Sequence, residues 1–91
     1  MKLVFHEAAL SDFRDIHQHI AQNDPRIAVS VIHRIRLSLE RLTMFPRSGR
    51  TGTVPGTREL VVPGLPFIVV YGIKPSQIEI VAVFHTAEDR G

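Results

Sequence analysis

A chain of 91 residues, 44% of them apolar, is sized for one domain with a two-layer core and leaves no room for a second. A charged fraction of 22% and a mean hydropathy of +0.08 exclude wholesale disorder, and the absence of cysteine excludes disulfides, thiolate metal sites and cysteine nucleophiles. Net charge is only +2; the pI of 9.7 arises because nine of the eleven basic residues are arginines, suited to bidentate contact with phosphate or carboxylate.

Leu3, Val4 and Phe5 read as a short opening or edge strand. Behind Met1 and Lys2 this run is too brief for a signal peptide, and no stretch is long enough to span a membrane, so the cytoplasm is the expected compartment. From Glu7 the period becomes helical. Ala9, Phe13, Ile16 and Ile20 form one apolar stripe flanked by Leu10 and His17, while Asp12, Asp15 and His19 are expected on the solvent face. This helix should end near Asn23. Asp24-Pro25 then restarts the chain, with aspartate as cap and proline in the first turn.

The second helix should bury Ala28, Val31, Ile32, Ile35, Leu39 and Leu42 and expose Arg26, His33, Glu40 and Arg41. Leu37 falls on that polar side beside Arg41, which marks it as a candidate partner contact. Phe45-Pro46 ends the helix, and the short connection between the two makes an antiparallel hairpin. Arg47 to Gly56, with three glycines and no periodicity, reads as a loop. Strands follow at Arg58–Val62, Phe67–Ile73 and Ile78–His85, joined by Pro63–Pro66 and Lys74–Gln77 as an antiparallel meander. The continuous apolar run of the middle one marks a central strand. The tail from Thr86 to Gly91 is polar and expected to be loosely held. The order strand, helix, helix, strand, strand, strand predicts an α+β two-layer sandwich, the hairpin covering one face of the sheet.

Chemistry is sparse in the first half. Of the five histidines, none lies three or four residues from another, and no P-loop, GxGxxG, GxSxG or HExxH is present, so neither a metal nor a cofactor is expected. In the second half Arg58 and Glu59 open one strand and His85 closes another. By strand alternation only one of Arg58 and Glu59 can share a face with His85. An arginine to stabilise a pentavalent phosphorane and a histidine to move a proton, with Arg47 and Arg50 positioning phosphates, would form a metal-independent phosphodiester site. The bland alternative is a solvated histidine at a strand end.

The segments Gly56–Val62 (GTRELVV), Pro66–Ile73 (PFIVVYGI) and Ile78–His85 (IEIVAVFH) resemble the C-terminal half of the RelE/ParE family, toxins of type II toxin–antitoxin modules that include plasmid-stabilisation-like proteins. The Asn23-Asp24-Pro25 joint and the segment Phe45–Arg50 (FPRSGR) agree upstream, so the resemblance covers nearly the whole chain as a single toxin domain, residues 1–91. It implies the same α+β sandwich and a cognate antitoxin that wraps and neutralises the toxin. RelE-like members cut mRNA on the translating ribosome; ParE-like members poison DNA gyrase and are not enzymes. Arg58 matches an arginine of the family's second strand and His85 its terminal histidine, so the resemblance implies these two as the catalytic pair only if the chain is a nuclease. The nuclease pattern is incomplete, however. Ile68 and Gly72 stand where basic residues are common, Thr86 follows the histidine in place of an aromatic, and no carboxylate lies between Arg47 and Pro55. This favours a ParE-like gyrase inhibitor over a RelE-like ribonuclease, with an inactive relative acting as a peptide-binding module as a further alternative. An acidic, amphipathic antitoxin segment is expected on Leu37, Arg41 and Arg58.

Overall fold

The computed structural model describes residues 1–87. Strand β1 (Lys2–Phe5) leads into helices α1 (Glu7–Ala21) and α2 (Pro25–Met44), followed by a 3₁₀ turn (Pro46–Ser48). Strands β2 (Arg50–Thr51), β3 (Arg58–Val61), β4 (Phe67–Ile73) and β5 (Gln77–His85) complete a five-stranded sheet of order β1-β5-β4-β3-β2. The two-layer sandwich is the one expected, with two differences in the sheet. β1 joins β5 in parallel, Leu3 beside Ile78 and Phe5 beside Ile80, while the other pairings are antiparallel. Part of the segment read as a loop forms the 3₁₀ turn and the two-residue β2.

Asp24 caps α2 as expected, its carboxylate accepting the Arg26 N–H at 2.9 Å, with Pro25 in the first turn. Ile35, Leu39 and Leu42 of α2 and Ala9 of α1 are buried against Val69, Tyr71, Ile78, Ile80 and Val83 of the sheet, and Ala28 of α2 is buried outside that cluster. Val31 and Ile32 are only half-buried. Phe5 and Phe13 meet edge to face at 6.0 Å, fastening β1 to α1.

Asp12 departs from the helical-wheel expectation. It is half-buried, and its Oδ2 accepts the Val83 N–H at 2.9 Å. The reason is geometric: β1 pairs with β5 only as far as Ile80, so a backbone donor further along that edge needs another acceptor. Beside this point β5 carries a bulge. Val70 lies opposite Ala82 but Tyr71 lies opposite Ile80, leaving Val81 as the extra residue. The bulge inverts the alternation, so Ile78, Ile80 and Val83 all face the helices.

Tyr71 closes the core. Fully buried on β4, its hydroxyl donates to the Pro46 carbonyl at 2.6 Å and accepts the Gly49 N–H at 3.0 Å. Gly49 is required by space: a Cβ there would lie 2.6 Å from the tyrosine oxygen and 2.8 Å from the Glu59 carbonyl. Thr86 is held more firmly than expected, its N–H donating to the Pro66 carbonyl at 2.8 Å. The remainder of the tail from residue 88 lies outside the described residues.

At the β1–β5 edge, His6 Nε2 meets Glu79 Oε1 at 3.0 Å and Gln77 donates to Oε2 at 2.9 Å. These two hydrogen bonds, the His6 bond first, hold the Glu79 carboxyl below the ordinary carboxylate range. A carboxylate with a depressed folded-state pKa contributes stability above its unfolded value of about 4.3, and that contribution is lost as pH falls through the lowered value. A Glu79→Gln chain should therefore lose less melting temperature than the parent on acidification from about pH 6 to about pH 3, read by circular dichroism. Tyr71→Phe strips partners from two backbone groups at once. It should cost about 1–3 kcal/mol, read as a lower urea midpoint at unchanged slope.

Candidate functional site

Arg47, Arg50 and Arg58 gather at one end of the sheet, where the fold engages Arg50 and Arg58 and leaves Arg47 exposed. Arg50 and Glu59 sit opposite each other in the β2–β3 pair, and Arg50 Nε and Nη2 both donate to Glu59 Oε1, at 3.1 and 2.9 Å. Arg58 points to the helix face of β3, opposite Tyr71. Its Nη1 donates to the Gly49 carbonyl at 2.8 Å and, more weakly, to the Arg47 carbonyl at 3.5 Å. The side chain of Arg58 thus braces the same turn that Tyr71 holds from below. Arg47, on the 3₁₀ turn, is exposed.

His85 ends β5 opposite Phe67, and the two rings meet edge to face at 5.4 Å. Its Nδ1 accepts the Ala87 N–H at 2.9 Å, so in the neutral ring the proton resides on Nε2. Phe67 and Tyr71 lie on one face of β4, which places Arg58 on the same face as His85 and Glu59 on the other. Sharing a face does not bring them together. Phe67 and Tyr71 are four positions apart, so Arg58 and His85 are separated by roughly 13 Å along the strands and roughly 10 Å across them. Among the described residues, no group of three or more His, Asp or Glu is arranged to hold a metal ion. No described helix is long and apolar enough to cross a membrane.

Two surface features are better formed than the arginine–histidine pair. The first is a groove of 530 Å³ along α2, where Leu37 and Arg41 sit with Arg34, Met44 and Pro63. Leu37 and Met44 are 47% and 72% exposed in this groove, and Phe45, 58% exposed, lines an adjoining depression with Ser38, Arg41 and Pro63. Arg34 anchors the far wall by donating to the Pro63 carbonyl at 3.3 Å. Gly64 follows with φ of +75°, and a Cβ there would lie 2.7 Å from the Arg34 guanidinium. The structure brings Leu37 and Arg41 to this groove but leaves Arg58 beneath the 3₁₀ turn. The sequence reading missed Met44 because the groove's second wall is Pro63, distant from it in the chain. The second feature is a cleft of 560 Å³ between α1 and the end of β5, lined by Asp12, Asp15, His19, Phe67, Val83 and His85 among others.

Residues 3–90 match the family described as ParE toxin of type II toxin–antitoxin system, parDE. The chain belongs to the ParE toxin family. A relative from Sinorhizobium fredii, Y4kP, is 38% identical over 77 residues, which is 85% of this chain and 79% of that protein. Among solved structures, the chromosomal ParDE system of P. aeruginosa superposes with a TM-score of 0.83 at 25% identity, covering 93% of this chain and 95% of that one. The E. coli RelBE toxin–antitoxin complex shares the fold at a TM-score of 0.69 and 16% identity, covering 92% and 94%. As a ParE-family toxin, the protein carries its two helices on a mostly antiparallel five-stranded sheet, the helices following β1 and preceding β2 to β5.

If Arg58 serves the turn, its loss is a folding defect first. Arg58→Ala should destabilise the chain by about 1.5–3 kcal/mol, the range for a hydrogen bond from a charged group, with a matching fall in urea midpoint. An Arg58→Ala chain as stable as the parent would return this arginine to the candidate catalytic residues.

Proposed function

We propose that this ParE-family toxin is neutralised by a cognate antitoxin and arrests growth by acting on DNA gyrase rather than by cutting mRNA. The observation that carries this reading is the separation of Arg58 from His85, together with the engagement of Arg50 by Glu59 and of Arg58 by the Gly49 carbonyl. A metal-independent ribonuclease needs a cation and a proton-transfer group around one phosphodiester. Here the two candidates sit at opposite ends of the sheet, and each contacts the protein's own backbone. The likeness to the ParDE system, at higher identity and TM-score than the likeness to RelBE, supports the same side.

The antitoxin is assigned to the α2 groove. Leu37 and Met44 are seven residues apart, two turns on one helix face, and present apolar anchor points to a segment lying along α2. Arg34 and Arg41 line the same groove against a single carboxylate, Glu40, a net positive lining that favours an acidic segment. Arg58, expected from sequence to join this surface, is left out of it.

Induction in a bacterial host without antitoxin should stop growth, with mRNA intact by primer extension and supercoiling by purified gyrase inhibited. A His85→Ala chain should remain toxic. Codon-phased cuts in translated mRNA with gyrase unaffected would reverse the assignment and place His85 in a nuclease site. Unimpeded growth would leave an inactive, peptide-binding relative.

A further inference from the structure

The cleft between α1 and the end of β5 has an apolar floor and a charge opposite to that of the α2 groove. Ile16, Phe67 and Val83 form the floor, and Asp12, Asp15 and His19 stand on the α1 side. Helix α1 carries Glu7, Asp12 and Asp15 against a single arginine, Arg14. That arginine lines a different depression, shared with His17 and Ile32 between the two helices. Helix α2 reverses the balance, with Arg26, Arg34, Arg36 and Arg41 against Glu40 alone. The molecule is therefore electrically two-sided. Its small net charge conceals a basic apolar groove on one side and an acidic apolar cleft on another.

How a partner enters this cleft is restricted by the β5 edge. Beyond Ile80 that edge is not covered by β1, yet an added strand would have to displace the Asp12 carboxylate from the Val83 N–H. Recognition by an inserted side chain avoids this loss. Asp15 is exposed and, among the described residues, makes no hydrogen bond or ion pair. An arginine or lysine side chain suits such a place, its aliphatic stem lying on Ile16 and Phe67 and its charged head meeting Asp15.

We infer that the α1/β5 cleft takes an arginine or lysine side chain of a partner polypeptide. Only the partner's identity rests on the toxin–antitoxin reading. On that reading the antitoxin segment changes sign along its length, acidic where it crosses Leu37 and Arg41 and basic where it reaches Asp15.

The test has two arms. The ¹⁵N-labelled full chain is titrated with Nα-acetyl-arginine N-methylamide and with its neutral isostere, Nα-acetyl-citrulline N-methylamide, at about 20 mM salt to limit screening. Saturable amide shifts at Asp15, Ile16, His19 and Val83 are expected with arginine. Binding should weaken about 2–5-fold with citrulline and likewise for Asp15→Asn, the range of one exposed ion pair. Equal response to both probes, or shifts confined to the Arg41 groove, would overturn the inference. So would a response seen only in an Arg90→Ala chain, which would make the chain's own arginine the occupant.

In the second arm the antitoxin of the same module is titrated into parent and Asp15→Arg chains, with fold checked by circular dichroism. Asp15→Arg should weaken binding about tenfold, removing one attraction and adding a repulsion. Equal binding to both chains would overturn the cleft's assignment and leave the toxin–antitoxin reading standing. Binding to neither would remove that reading, while the arginine titration still reports on the cleft.

Discussion

The hydroxyl of Tyr71 decides what the arginines that follow α2 can do. It is the chain's single tyrosine, fully buried in the central strand, and it holds the turn after α2 by bonding both the Pro46 carbonyl and the Gly49 N–H. A buried phenol must find partners, and these two are the backbone groups that a chain leaving a helix would otherwise leave unpaired. Once the turn is fixed, its Gly49 carbonyl faces Arg58, and the following residues reach β3 as the short strand that pairs Arg50 with Glu59. Guanidinium groups that composition alone would offer to a phosphate are drawn into holding the fold.

The bulge at Val81 is the second decision of this kind. Without it, strict alternation from Ile78 would turn Phe84 toward the helices and His85 away from them. One extra residue reverses the parity, so Val83 enters the core and His85 stands over Phe67 at the mouth of the α1/β5 cleft. The same region is where β1 ends and Asp12 takes over the exposed backbone donor. A change of strand register, a missing neighbour and a helix carboxylate thus build one depression, and its chemistry differs from that of the α2 groove. If both depressions serve recognition as proposed, their opposite signs suit a partner that wraps the molecule better than one that touches a single patch.

The α+β layering was legible from periodicity. The hydrophobic period changes from helical to strand-like in the second half, Asp24-Pro25 marks a helix start, and the apolar run Phe67–Ile73 is central, with β3 on one side and β5 on the other. Leu37 and Arg41 were readable as surface residues because nothing in the helical wheel of α2 buries them. Met44 was not readable as part of that surface, since the wall opposite it is Pro63, distant in sequence. Asp12 was placed on solvent because a helical wheel counts side-chain polarity and cannot see an unpaired N–H on another element.

The amino-acid sequence by itself determined the two helices and the main strands, the helix cap and the apolar stripes, because these depend on local propensity and short patterns. It also carried the resemblance to the RelE/ParE family through the order and spacing of segments along nearly the whole chain. The tertiary structure alone decided that Arg58 and His85 lie at opposite ends of one face, that Arg50 and Arg58 brace a turn, and that the surface divides into a basic groove and an acidic cleft. Those outcomes depend on register, on a single bulge and on which buried donor meets which acceptor. Each is set by pairings between residues far apart in the chain, where a one-residue slip changes the face that a side chain presents.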